Sequence, residues 1–172
     1  MIIEHPKFFT ATILEWKRLL DQSKYKDIIM ESLKFLVNNN RIILNGFVIM
    51  PNHIHLIWQM CSDISPSDVQ RDFLKFTAQQ IKFDLQHHNP ELLEQFKVNV
   101  KDRAYQIWEH RPLSVNLWSR DILKQKLDYI HNNPIQEKWR LAEIPENYYY
   151  SSARYYFLNI DDWGFITNHA GD

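Results

Sequence analysis

Met50-Pro51-Asn52-His53-Ile54-His55-Leu56-Ile57-Trp58 joins two apolar runs through a short turn, and its reading decides the fold. Upstream, Arg41 to Met50 contains Ile42-Ile43-Leu44 and Phe47-Val48-Ile49, a pattern rich in β-branched and aromatic residues that predicts a strand. Pro51-Asn52 supplies the turn, so His53 to Gln59 is expected to return as the antiparallel partner. Strand side chains alternate between faces. His53 and His55 therefore point one way while Ile54, Leu56 and Trp58 point the other. Two neutral imidazoles on one strand face are a ready pair of metal ligands.

Other elements fall into place around this hairpin. Phe8 to Leu14 reads as a first strand, and Tyr25 to Asn38 as a helix with Ile29, Leu33 and Leu36 on its apolar face. Ser65-Pro66 marks the cap and first turn of a long helix over Ser67 to His88, with Leu74, Ala78, Ile81 and Leu85 at helical spacing. The pattern weakens from Asn89 to Arg103, where a short helix or loop follows Pro90. Tyr105 to Trp108 predicts the next strand, continuing irregularly or as an edge towards Pro112. Ser119 to Asn133 then forms a helix striped by Leu123, Leu127 and Ile130, and Pro134 ends it near Asn133. The order strand, helix, strand, strand, helix, strand predicts an α+β, ferredoxin-like (split βαβ) antiparallel sheet, with helices packed on it and a C-terminal helical extension.

The chain has 172 residues, 45% of them apolar, and only three glycines, which suits a single compact domain over 1–172. One cysteine, Cys61, leaves no internal disulfide framework and fits a reducing compartment. The first residues, Met1 to Lys7, lack the apolar stretch of a signal peptide, and no later run is long enough to span a membrane. The formal net charge is −1, which counts against coating duplex DNA by bulk electrostatics while leaving room for a local basic groove.

Chemistry gathers on the Ser119–Asn133 helix. Tyr129 and Asn133 are four residues apart and share a face, whereas His131 lies about 200° around from Tyr129 and faces elsewhere. The Asn133 carbonyl oxygen can complete a three-ligand shell with His53 and His55. A nitrogen and oxygen shell with open positions suits Mg²⁺ or Mn²⁺ better than structural zinc. A metal held so can polarise a phosphoryl oxygen, and Tyr129 stands one turn away as a covalent nucleophile.

Pro51-Asn52-His53-Ile54-His55-Leu56, followed by Leu127-Asp128-Tyr129-Ile130-His131-Asn132-Asn133-Pro134, resembles the single-tyrosine HUH transposases, most of all the REP-associated tyrosine transposase branch. Trp108 ahead of the helix and Glu146 to Ala153 after it agree further, so the resemblance runs from the first strand to about Tyr156. It implies a transposase that cuts and rejoins single-stranded, hairpin-bearing DNA through a 5′-phosphotyrosine intermediate. Tyr129 would be the nucleophile, and His53, His55 and Asn133 the metal ligands. It also implies a prokaryotic, nucleoid-associated protein of the cytoplasm, acting as a homodimer or a monomer. The segment Ile135 to Arg140 departs from the family in being less basic and in lacking its small residues.

Candidate DNA contacts are Arg103, His110, Arg111, Arg120, Lys124 and Lys126, to which Lys97 and Lys101 add charge. Tyr105, Trp108 and Trp118 interleave with them, an arrangement that pairs phosphate contacts with base stacking. Blander readings stand beside these. Taken alone, His-x-His is more often an ordinary hydrogen-bonded pair, and the basic segment a solvated face. His87-His88 complement a helix dipole. His131 makes a DNA or structural contact, and Ser151-Ser152 cap a short helix. Three other functions compete with a mobile transposase: a domesticated palindrome-nicking enzyme, a catalytically silent nucleic-acid-binding module, and a phosphodiesterase using water.

Overall fold

The computed structural model describes residues 5–61 and 64–171; the stretch 1–4, part of the N-terminal reading above, lies outside them. Four strands form one antiparallel sheet: β1 (Lys7–Thr12), β2 (Ile42–Ile49), β3 (His53–Met60) and a late edge strand, in the order β2-β3-β1-edge. The helices α1 (Ser23–Asn38) and α2 (Pro66–His88) link the strands as a split βαβ unit requires, so the fold is ferredoxin-like α+β. Ser65 caps α2 by accepting a hydrogen bond from the Asp68 N–H, with Pro66 in the first turn.

The period-2 pattern of the strands sorts the two sheet faces. Phe9, Ala11, Ile54, Leu56, Trp58 and Met60 face α1 and α2, where they join Ile29, Leu33, Phe73 and Ile81 in the main core. Each of the larger buried side chains among them contributes roughly 1.5–3 kcal/mol by leaving water. Phe8, Val48, Met50 and Ile57 face the other way and pack on Leu123, Leu127 and Ile130 of a later helix. That helix covers the face which a two-layer ferredoxin-like sandwich leaves open, and it is the extension expected from the sequence.

The edge strand departs from expectation. Arg103–Tyr105 pairs with Lys97–Val100 as a separate two-stranded ribbon, β4 (Lys97–Val100) and β5 (Arg103–Tyr105), which follows the short helix α3 (Pro90–Glu94). Ile107 and Trp108 are pulled into the core instead. Trp108 is fixed by a single bridge to Ile13 and by its indole N–H donating to Thr77 Oγ1 at 3.1 Å. The fourth strand is β6 (Leu113–Asn116), paired with β1 so that Phe9 lies opposite Ser114. Leu113-Ser114-Val115-Asn116 alternates apolar with polar over four residues only, directly after Pro112, and both Leu113 and Val115 stay exposed, so the signal is too short to separate from a loop.

The covering helix is α4 (Arg120–Asn132), capped by Ser119 Oγ accepting from the Ile122 N–H. Its approach to β2 depends on Gly46, at a register shift beside Leu44. A Cβ there would meet Leu127 Cδ1 at 2.6 Å. The last helix, α5 (Ala153–Leu158), follows Ser151-Ser152, and the two serines divide their work. Ser151 Oγ accepts from the Ala153 N–H as a cap would. Ser152 Oγ instead bonds the Phe47 backbone at the edge of β2 and the His131 ring. Ser151 bridges Val48, and Ile166 bridges Leu44, so the C-terminal segment covers the outer edge of β2. Among the described residues, no helix is long and apolar enough to cross a membrane.

Candidate active site

β3 presents His53 and His55 to the α4 side of the sheet, their ring centroids 4.8 Å apart. α4 sets Tyr129 over them, 5.5 Å from the His55 ring centroid to centroid. Asn133 comes one turn later. A residue before proline ordinarily avoids helical geometry, yet Asn133 keeps φ −57° and ψ −47°, and the chain runs on into a tight turn over Asn133–Ile135. That continuation holds Asn133 in register with Tyr129. His53, His55, Tyr129 and Asn133 line one cleft of about 160 Å³, together with Thr10, Thr12, Trp16, Gln136, Lys138 and Trp139.

Each imidazole is held from behind. Asn52 donates its amide N–H to the Trp16 carbonyl at 3.3 Å, which turns its Oδ1 towards His53 Nδ1 at 2.7 Å. An amide oxygen can only accept, so Nδ1 carries the proton and Nε2 keeps its lone pair. Thr10 Oγ1 lies 2.7 Å from His55 Nδ1; with that nitrogen donating, His55 Nε2 is likewise left as a lone pair. Metal-binding histidines are supported in this way, by a second partner that sets tautomer and ring orientation. His55 Nε2 and Asn133 Oδ1 are both buried with no hydrogen-bond partner among the described residues. A buried polar atom left alone is costly, and a cation coordinated there would satisfy both.

Burial keeps both rings neutral, as ligands must be. His53 is pushed down to about 4 by desolvation and then by the Lys138 charge. His55 is pushed down to about 3 by desolvation, then by His53 and Lys126. Among the described residues, no group of three His, Cys, Asp or Glu side chains is placed to hold a metal ion. The donor set here is two imidazoles and one amide oxygen, which fits a hard or borderline divalent cation with open positions. Tyr129 is 47% exposed, so its phenol is open to a substrate, and Lys126 Nζ lies 5.8 Å from its ring centroid.

The remaining sequence candidates separate. Lys126 stands at the cleft, over Phe8 as well as Tyr129. His110 and Arg111 line a neighbouring pocket that shares Thr10, Thr12 and Trp16 with the cleft. Arg103 bonds His110 at 3.0 Å beside a broader groove along α2. Arg120 and Lys124 lie on another face of α4, where Lys124 pairs with Asp128 at 3.3 Å. His131 takes the structural alternative. It is buried against Tyr156 and Phe157, with Nε2 2.7 Å from Ser152 Oγ, and burial pushes it down to about 4. His87 Nδ1 bonds the Phe83 carbonyl at the end of α2.

The sequence does not by itself single out Thr10, Trp16, Gln136, Lys138 and Trp139 for this site, and Asn52 reads there as a turn residue. For Asn52 a signal existed, since an amide beside a candidate ligand can orient it. For Thr10 none did, because its role depends on the β1–β3 register that sets it opposite His55.

The chain matches no family model and no curated protein. Among solved structures it is similar to a REP-associated tyrosine transposase bound to a REP hairpin, at a TM-score of 0.65 and 19% identity. That match covers 99% of this chain and 93% of the other, so the two proteins share one fold from end to end. A candidate transposase of Deinococcus radiodurans R1 aligns over 77% of this chain and 92% of its own, at a TM-score of 0.48 and 17% identity; so loose a likeness carries no weight.

Proposed function

We propose that the protein is a metal-dependent nuclease and strand transferase of the transposase type, acting on single-stranded, hairpin-bearing DNA. The observation that carries this reading is the convergence of Tyr129, His53, His55 and Asn133 on one cleft, with two of their polar atoms buried and unpartnered. The fold shared with a transposase bound to a hairpin supports it.

In this reading His53, His55 and Asn133 would hold Mg²⁺ or Mn²⁺. The bound ion would polarise the phosphate and offset charge developing on its oxygens. Tyr129 Oη attacks the phosphorus while the bond to the 3′-oxygen breaks. The phenol loses its proton and the departing 3′-oxygen gains one, leaving a 5′-phosphotyrosine and a free 3′-OH. Attack by another 3′-OH reverses the exchange and rejoins strands with no external energy source. Lys126 and Lys138 at the rim add positive charge for the phosphate backbone. The chain works as one catalytic unit, monomer or homodimer, in the prokaryotic cytoplasm beside the nucleoid.

Labelled hairpin-bearing single strands incubated with the protein and Mn²⁺ test this directly. A covalent protein–DNA adduct is expected on a denaturing gel, falling by at least about a thousandfold in Tyr129→Phe. Cleavage that survives Tyr129→Phe would assign the chemistry to water instead, and binding without cleavage would leave a silent module.

A further inference from the structure

The metal cleft does not end at His53. It opens past Thr10, Thr12 and Trp16 into a second pocket of about 340 Å³, lined by these three residues and by Glu109 to Leu113. Trp16 stands at the junction, 63% exposed, its ring centroid 6.3 Å from that of His53. So large an apolar side chain in water gains nothing by itself. Trp118 is as exposed, but it rests against His5, beyond the opposite end of β1.

The backbone goes out of its way to hold Trp16 there. Glu15 and Trp16 are consecutive left-handed residues, at φ 54° and 58°, a conformation that side chains other than glycine rarely adopt. Three contacts impose it. The Glu15 N–H donates to Glu109 Oε1 at 2.6 Å, the Trp16 N–H to the Ile13 carbonyl at 2.9 Å, and the Trp16 carbonyl accepts from Asn52. Asn52 is also the residue that orients His53. The indole is therefore tied by one side chain to a candidate metal ligand, and backbone strain of this kind clusters where a site must be pre-organised. Across the pocket Arg111 supplies a guanidinium, itself presented from a left-handed residue at φ 60°.

We propose that Trp16 is a base-stacking platform for the nucleotide next to the scissile phosphate, with the second pocket receiving that base and Arg111 meeting the following phosphate. An exposed aromatic face beside a cation is the combination that holds single strands without reading their sequence. This inference rests on the single-strand reading above and deepens it, because Trp16 sets which phosphate lies over His53 and His55.

The test uses the full chain as Tyr129→Phe, so that DNA stays uncut, with Mn²⁺ and hairpin-bearing strands whose single-stranded flanks are random in sequence and carry 5-iodouracil in place of thymine. Irradiation is expected to crosslink the DNA to the peptide containing Trp16. Adding Trp16→Ala should weaken binding roughly ten- to one-hundredfold, and Trp16→Phe should restore most of it. Stacking releases no counterions, so the slope of log affinity against log salt should stay the same in Trp16→Ala. An unchanged melting temperature shows that the variant is folded. Binding that is equally tight in Trp16→Ala, or a crosslink elsewhere, overturns the platform and leaves the strand-transfer reading intact. A parent protein that binds none of these strands overturns both.

Discussion

The two faces of β3 differ in what they leave unfinished. Towards α1 and α2, Ile54, Leu56 and Trp58 are wholly buried in apolar packing. Trp58 Nε1 has no partner there, but it is sealed inside the core. Towards α4, alternate residues of the same strand are His53 and His55, buried to a similar degree yet opening on a cleft. One face is closed by dispersion and the hydrophobic effect, which need no third party. The other is held by Asn52 and Thr10 in a geometry that leaves donor atoms waiting, and proteins carry such incompleteness where they bind something.

The largest expected difference between the faces is their response to acid. Desolvation lowers His53, His55 and His131, all on the α4 side, to about 4, 3 and 4 respectively, against about 6.5 in an unfolded chain. Below pH 6.5 the unfolded state therefore takes up protons that the native state refuses. Stability should fall with pH through the window from 6.5 to about 4, by up to roughly 1.4 kcal/mol per pH unit for each histidine. Urea midpoints measured across that range check this, and a flat profile down to pH 4.5 would refute it. Adjacent residues make the next contrast. Leu56→Ala should cost about 2–5 kcal/mol while leaving Mn²⁺ affinity in the folded protein nearly unchanged. His55→Ala should do the reverse, losing metal affinity by about a hundredfold or more with a smaller change in stability. Equal losses of stability in the two variants would erase the distinction between the faces.

Much of this arrangement is legible in the sequence because period-2 and period-3.6 patterns are local. The Pro51–Trp58 run fixes which way each histidine points, and the spacing of Tyr129 and Asn133 fixes their shared helix face. Partners across the sheet are another matter. Leu113 to Asn116 alternates over four residues only and buries neither Leu113 nor Val115, so it is a strand by its pairing with β1 and its own residues carry too short a sign of it. Trp108 carries the composition of a strand and is used as a core anchor for Thr77. Trp16 owes its position to two left-handed residues pinned by Glu109 and Asn52, both distant in sequence. Lys124 and Lys126 look alike as basic residues of one helix. Only the helix angle separates the one paired with Asp128 from the one over Tyr129.

Thr10 offers the smallest and most selective way to probe the cleft face. It and Thr12 are both on β1, both line the cleft, and lie opposite His55 and His53 respectively. Only the Thr10 hydroxyl is placed against a ring nitrogen, at 2.7 Å from His55 Nδ1. Valine keeps the shape and β-propensity of threonine but cannot bond that nitrogen. Thr10→Val should therefore release the His55 ring from one preferred tautomer and orientation, and lower Mn²⁺ affinity by about ten- to one-hundredfold. Thr12→Val, which changes the cleft wall equally, should leave the affinity within about twofold. Calorimetric titration of the two variants separates the causes. Matched losses would mean that the wall, not the tether on Nδ1, governs the metal, and the waiting donor atoms would then owe their order to packing alone.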